Sequence, residues 1–224
     1  NEPTFIITVK MKKILIIIIL GLFLNSSANS DDIKKFNIEE ISMGSSALNY
    51  FSVNQIEDNE QDWFNYSYKE YSTSLLPGKG IYDWFQISYK NDDEDFIIVG
   101  LAGIVEKKNY DDKKCNKELD TAALNISELF RETNRSKKKS FKIAYDISKI
   151  FYEADTSAKS NATTIEFNFT DKSKIILACY DMDKTINEIK SFFTDINQFD
   201  SFRIDIRNHS FVSYLNKKNY EKIY

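Results

Sequence analysis

Ile165-Glu166-Phe167-Asn168-Phe169-Thr170-Asp171-Lys172-Ser173-Lys174-Ile175-Ile176-Leu177-Ala178-Cys179-Tyr180 is the stretch on which the fold turns. Successive side chains of a strand point to opposite faces, so period-two patterning marks a half-buried strand. Ile165, Phe167 and Phe169 alternate with Glu166 and Asn168. Asp171-Lys172-Ser173 is turn chemistry. The chain then returns with Ile175, Leu177 and Cys179 on one face. This is an antiparallel hairpin with one side turned to a core.

The same alternation recurs outward from it. Phe202, Ile204 and Ile206 alternate with Arg203 and Asp205, a last strand. Phe141, Ile143, Tyr145 and Ile147 alternate ahead of the hairpin. Further upstream, Trp63–Tyr71 places Phe64, Tyr66 and Tyr68 on one face. Ile81–Lys90 and Phe96–Val105 flank the acidic tip Asn91–Asp95 and read as a first hairpin. Gly100 and Gly103 in its second arm call for a bulge or a close-packed neighbour. Asp111–Glu132 is helical, because Cys115, Leu119, Ala122, Ala123, Ile126, Leu129 and Phe130 form one apolar stripe. Asp111 and Asp112 suit its positive N-terminal end. Thr185–Ile196 is a second helix, and Ala47–Phe51 a short one capped by Ser45 or Ser46. Ser52–Gln61 reads as a polar loop, Phe211–Leu215 as a short terminal element and Lys217–Tyr224 as a solvated tail. The expected class is α+β: a mainly antiparallel sheet with helices packed on one face. A helix-plus-hairpin unit is loosely repeated in the two halves.

Composition narrows the function. Among 224 residues, 42% are hydrophobic and the net charge is −4, which argues against a nucleic-acid binder. Six Gly and two Pro argue against a collagenous or disordered chain. One His excludes a multi-His metal centre. Lys outnumbers Arg 26 to 4, and Ile and Asn number 29 and 20, a skew that AT-rich codon usage explains.

The N-terminal part reads as an address. Met11-Lys12-Lys13 is basic, Ile14–Leu24 is an eleven-residue apolar run, and small polar residues follow up to Ser30. That order is a secretory signal peptide, with a cut before Asp31. The run is shorter than the ~20 residues a membrane span needs. The expected division is therefore 1–10 as an upstream translated extension, 11–30 as the signal peptide and 31–224 as a single α+β domain. A periplasmic or secreted location follows. In an oxidising compartment the only two cysteines, Cys115 and Cys179, favour a disulfide. Cys115 also shares the buried face of its helix, toward the sheet that carries Cys179.

Phe36-x-Ile38-Glu39-x-Ile41-Ser42-x-Gly44-x-Ser46-x-x-x-Tyr50-Phe51-Ser52, with the Phe202–Ile206 strand, resembles uncharacterised exported proteins of marine alphaproteobacteria with AT-rich genomes. That family's pattern has Gly at Glu40 and Asp at Ser45. The resemblance implies export and no assigned activity. Ile41-Ser42-Met43-Gly44 before a short helix is also similar to periplasmic modules related to β-lactamase-inhibitor proteins and outer-membrane assembly lipoproteins, which bind proteins.

Few residues carry chemistry. His209, in Arg207-Asn208-His209-Ser210, is the sole base for a serine triad, and no Gly-x-Ser-x-Gly elbow accompanies it. Asp92, Asp93 and Asp95 offer oxygen ligands to a hard cation, without EF-hand spacing. Asp181 and Asp183 belong to the many acids that could supply a hydrolytic pair. Trp63 and Trp84 are candidate ligand-contact aromatics, Trp84 falling on the polar face beside Gln86 and Ser88. No cofactor is implied. The expected function is a non-catalytic exported binding or interaction module whose partner is an envelope protein or a small ligand. The alternative is an exported hydrolase using paired carboxylates.

Overall fold

The central hairpin forms as its pattern requires. Asn161–Asn168 (β8) pairs antiparallel with Lys174–Asp181 (β9), Ile165 facing Leu177 and Phe167 facing Ile175. The turn between them places Lys172 at a left-handed φ of 70°. Asp171 closes it by accepting from the Ser173 amide at 2.8 Å. The computed structural model describes residues 33, 36–61, 70–107, 111–131, 133–142, 160–181 and 200–221. The upstream segment, the strand-like Trp63–Lys69, Ile143–Ile147 and the helix read over Thr185–Ile196 lie outside them.

The chain opens with a small ladder of Asn37–Ile38 (β1) and Ile41–Ser42 (β2), a 3₁₀ turn at Ala47–Asn49 and a short helix, Val53–Glu57 (α1). Tyr71–Pro77 (β3), Trp84–Lys90 (β4) and Gly100–Glu106 (β5) follow as an antiparallel meander. Asp112–Leu129 (α2) then crosses to Asn134–Arg135 (β6), Lys139–Lys142 (β7), β8 and β9. Ser201–Arg207 (β10) is last and inserts between β5 and β9, and His209–Glu221 (α3) ends the described chain. The eight-stranded sheet runs β3-β4-β5-β10-β9-β8-β6, with β7 also paired to β8, and every pairing is antiparallel. The architecture is α+β, as the patterning requires.

Register assigns the two faces. Phe85, Leu101, Ile204, Leu177 and Ile165 project to one side and join the main core. α2 lies across β8 and β9 with Cys115, Leu119, Ala122, Ala123 and Ile126 buried against them. Asp111 caps its start, accepting from the Lys114 amide at 3.2 Å. Cys115 and Cys179 sit at disulfide distance, 2.06 Å between sulfurs. The N-terminal layer covers the β4–β5 end of the same face. There Gly103 lets Tyr82 and Ile38 close on the sheet, since a Cβ would stand 2.5 Å from the Tyr82 ring.

Three differences from the sequence reading have physical causes. Ser52–Gln61 contains α1 because Ser52 and Gln55 form a reciprocal capping box, and Ile56 is fully buried below it. β3 hides behind hydroxyls: Ser72, Thr73 and Ser74 are buried and satisfied, Thr73 by Ser88 at 2.9 Å and Ser74 by the Ile56 carbonyl at 2.7 Å. α3 replaces the expected short element and solvated tail. Asn208 caps it, accepting from the Phe211 amide at 2.9 Å, and Phe211 and Tyr214 bury against Tyr71 and Val99. That contact is on the second face of the sheet, so the described helices do not all share one face. Among the described residues no helix is long and apolar enough to cross a membrane.

Candidate functional site

The β4–β5 connection and α1 together flank an open cleft of about 690 Å³. Its first wall is the acidic tip. Asp93 holds that turn, its two carboxylate oxygens accepting from the Asp95 amide at 3.1 Å and the Ile97 amide at 3.0 Å. Phe96 follows at a left-handed φ of 48° and lines the cleft. The tip is docked onto the N-terminal layer. Gly44 and Ala47 amides donate to the Ile98 and Phe96 carbonyls at 2.9 and 3.0 Å, and Ser46 Oγ donates to the Asp95 carbonyl at 2.6 Å.

The opposite wall is α1 and its exit, which contribute Val53, Glu57 and Glu60. Their position follows from the edge of the sheet. Gln61 N donates to the Thr73 carbonyl at 2.8 Å and Leu75 N to the Asn59 carbonyl at 3.0 Å, so residues 59–61 cover β3 where it would otherwise present bare backbone. The floor is Ser72 and Tyr89, both buried. Ser74 Oγ donates to the Ile56 carbonyl and lies 3.0 Å from the Tyr89 hydroxyl. Glu60 lies 3.4 Å from the same hydroxyl and accepts from Ser72 Oγ at 2.9 Å.

Five carboxylates line the cleft: Glu57, Glu60, Asp92, Asp93 and Glu94. Asp93 and Glu60 are engaged as described. The side chains of Glu57, Asp92 and Glu94 are exposed and make no hydrogen bond or ion pair among the described residues. The rim is thus negative, while Val53 and Phe96 add apolar surface beside it. Among the described residues no three acids, Cys or His gather closely enough to hold a metal ion. Volume and lining suit an organic cation with an apolar part, in the size range of small-ligand clefts.

Burial pushes the Tyr89 phenol up to about 12, with Glu60 and Glu57 adding to the rise against the opposing Ser74 bond. The fold therefore favours neutral Tyr89, and its contribution is complete below the unfolded value of 10. Stability should fall as pH rises from 10 to 12, by about 2–3 kcal/mol. Tyr89→Phe should make that segment of the pH–stability curve shallower in urea titrations, leaving the share of Tyr82, whose phenol burial also pushes up. A curve of the same slope in the variant contradicts the assignment.

Asp93 and Asp92 should respond oppositely. Asp93→Ala removes the acceptor of two turn amides and is expected to cost about 1–2 kcal/mol. Asp92→Asn relieves like-charge crowding and should leave the melting temperature unchanged or slightly raised. Thermal unfolding of the two variants checks this.

The structure brings together some of the sequence candidates and separates others. Asp92 and Asp93 line the cleft, whereas Asp95 contributes only backbone to the tip and is absent from the lining. Trp84 is half-buried on the second face, where its Nε1 donates to Glu106 Oε1 at 2.7 Å. Trp63 and Asp183 lie outside the described residues. Cys115 and Cys179 are buried in the core, and His209 is exposed at the start of α3, 3.4 Å from Ser213 Oγ. Sequence reasoning missed Glu57 and Glu60 as companions of the tip acids. The Ser52–Gln55 capping box marks the helix that carries Glu57, but nothing local says that α1 faces the tip. No protein-family model, no curated protein and no solved structure matches this chain.

Proposed function

We propose that the protein is an exported, non-catalytic binding module whose acidic cleft receives a cationic ligand or a cationic group of an envelope partner. The carrying observation is the set of three exposed carboxylates, Glu57, Asp92 and Glu94, unpaired among the described residues, around a cleft of about 690 Å³ with Val53 and Phe96 beside them. Like charges held together without counter-charges cost stability, and an incoming cation offsets that cost. The buried Cys115–Cys179 pair supports a location outside the cytoplasm. The paired-carboxylate hydrolase has less support, because a general acid of that kind is raised into range by an apolar surrounding and these three acids face solvent.

Thermal unfolding with spermidine tests the reading. A ligand at a hundredfold its Kd stabilises by about 2.7 kcal/mol, so a saturable rise in melting temperature is expected. An equal rise with sodium chloride at matched ionic strength counts against a specific site. Cell fractionation of the full chain tests export. Recovery in the cytoplasm with free thiols contradicts it.

A further inference from the structure

β10 presents two of the chain's four arginines, Arg203 and Arg207, on the second face of the sheet. Their partners differ. Arg207 grips the Asp205 carboxylate with both Nε, at 3.0 Å, and Nη2. Both donate to one oxygen of that carboxylate, Oδ2. Arg203 uses Nη2 on the neutral Gln86 amide oxygen, and its Nε is shielded from solvent with no acceptor. Among the described residues it makes no ion pair. Arginine does not neutralise itself by losing a proton, so a half-buried, unpaired guanidinium is an uncompensated charge.

Ala178 and Ile104 are the cross-strand partners of Arg203, so a small side chain stands on one flank. Gln86, Trp84 and Tyr180 on the same face are all half-buried. Gln86 is long and unbranched, and no other hydrogen bond is seen to hold its side chain among the described residues. We propose that Arg203 anchors a carboxylate ligand on the second face of the sheet, with the Gln86 amide occupying the carboxylate's place in the free protein. The ligand's two oxygens would take the Nε and Nη2 protons together, the side-on fork by which a guanidinium matches a carboxylate. Gln86 would rotate toward solvent. This site is separate from the acidic cleft and takes a ligand of opposite charge.

The test is a heteronuclear NMR titration of the full folded chain, following the arginine Nε–H signals, with sodium acetate as the probe and sodium chloride at matched ionic strength as the control. The Arg203 signal is expected to move saturably with acetate and to stay in place with chloride. Gln86→Ala removes the competing acceptor and should tighten acetate binding several-fold. Arg203→Lys keeps the charge but loses the fork, and should abolish the saturable acetate shift of the Gln86 side-chain amide signals, which the wild type is expected to show. No saturable shift in either the wild type or Gln86→Ala overturns the proposal. So does the same shift with chloride, or a shift with inorganic phosphate but none with acetate. Gln86→Ala keeps the guanidinium, so a folding failure in Arg203→Lys leaves the outcome decided by the other variant.

Discussion

Replacing Cys115 and Cys179 together with alanine is expected to lower the unfolding free energy by about 4 kcal/mol, the chain-entropy value for a 64-residue separation. The link ties the first turn of α2 to the end of β9, so it joins the helical layer to the centre of the sheet. Without it the unfolded chain regains the freedom of that loop. Against a typical total of 5–15 kcal/mol for a domain, the loss is a large share. Both positions are buried, so the double variant also avoids leaving a lone reactive thiol in the core. Urea titration should show a lower midpoint. An unchanged midpoint means that the link does not constrain the unfolded state as described.

Phe167→Ala should have a comparable effect, about 3–5 kcal/mol, through lost burial and a residual cavity. Phe167 is fully buried, faces Ile175 across the β8–β9 ladder and carries the Arg135 guanidinium 6.0 Å from its ring centroid. Phe141→Ala is the matched control. That ring is half exposed on the neighbouring edge strand β7 and faces the other side of the sheet, so its removal should stay within about 0.5 kcal/mol. Equal losses in the two variants would place the core on the wrong face.

Patterning made most of the sheet legible. Strict alternation in Ile165–Phe169, Ile175–Cys179 and Phe202–Ile206 records strands with one apolar face, and each appears in register. The stripe from Cys115 to Ile126 likewise records a helix with one buried side. The failures came where burial is satisfied by hydrogen bonding instead of by apolar side chains. β3 carries Ser72, Thr73 and Ser74 inside, and only their partners on β4, α1 and the α1 exit explain this. α1 was masked by polar residues around a single buried Ile56.

The cleft was less legible than the fold. The acids of the tip are visible as Asp92 to Asp95, but their partners Glu57 and Glu60 come from a segment more than thirty residues earlier. Long-range pairing of residues 44–47 with 96–98 fixes the tip in place, and no local pattern encodes it. Arg203 reads in sequence as the polar half of a strand. Only the comparison with Arg207 on the same face shows that its charge lacks a carboxylate.

The most direct measurement is calorimetric titration of the protein with spermidine at low salt, alongside the triple variant Glu57→Gln, Asp92→Asn, Glu94→Gln. Each exposed carboxylate–ammonium contact contributes about 0.2–1 kcal/mol. The variant should therefore bind roughly threefold to a hundredfold more weakly while remaining folded, and added salt should weaken the wild type toward it. Saturable binding with that loss is the predicted result. No saturable heat in the wild type, or the same affinity in the variant, contradicts a cation-binding cleft.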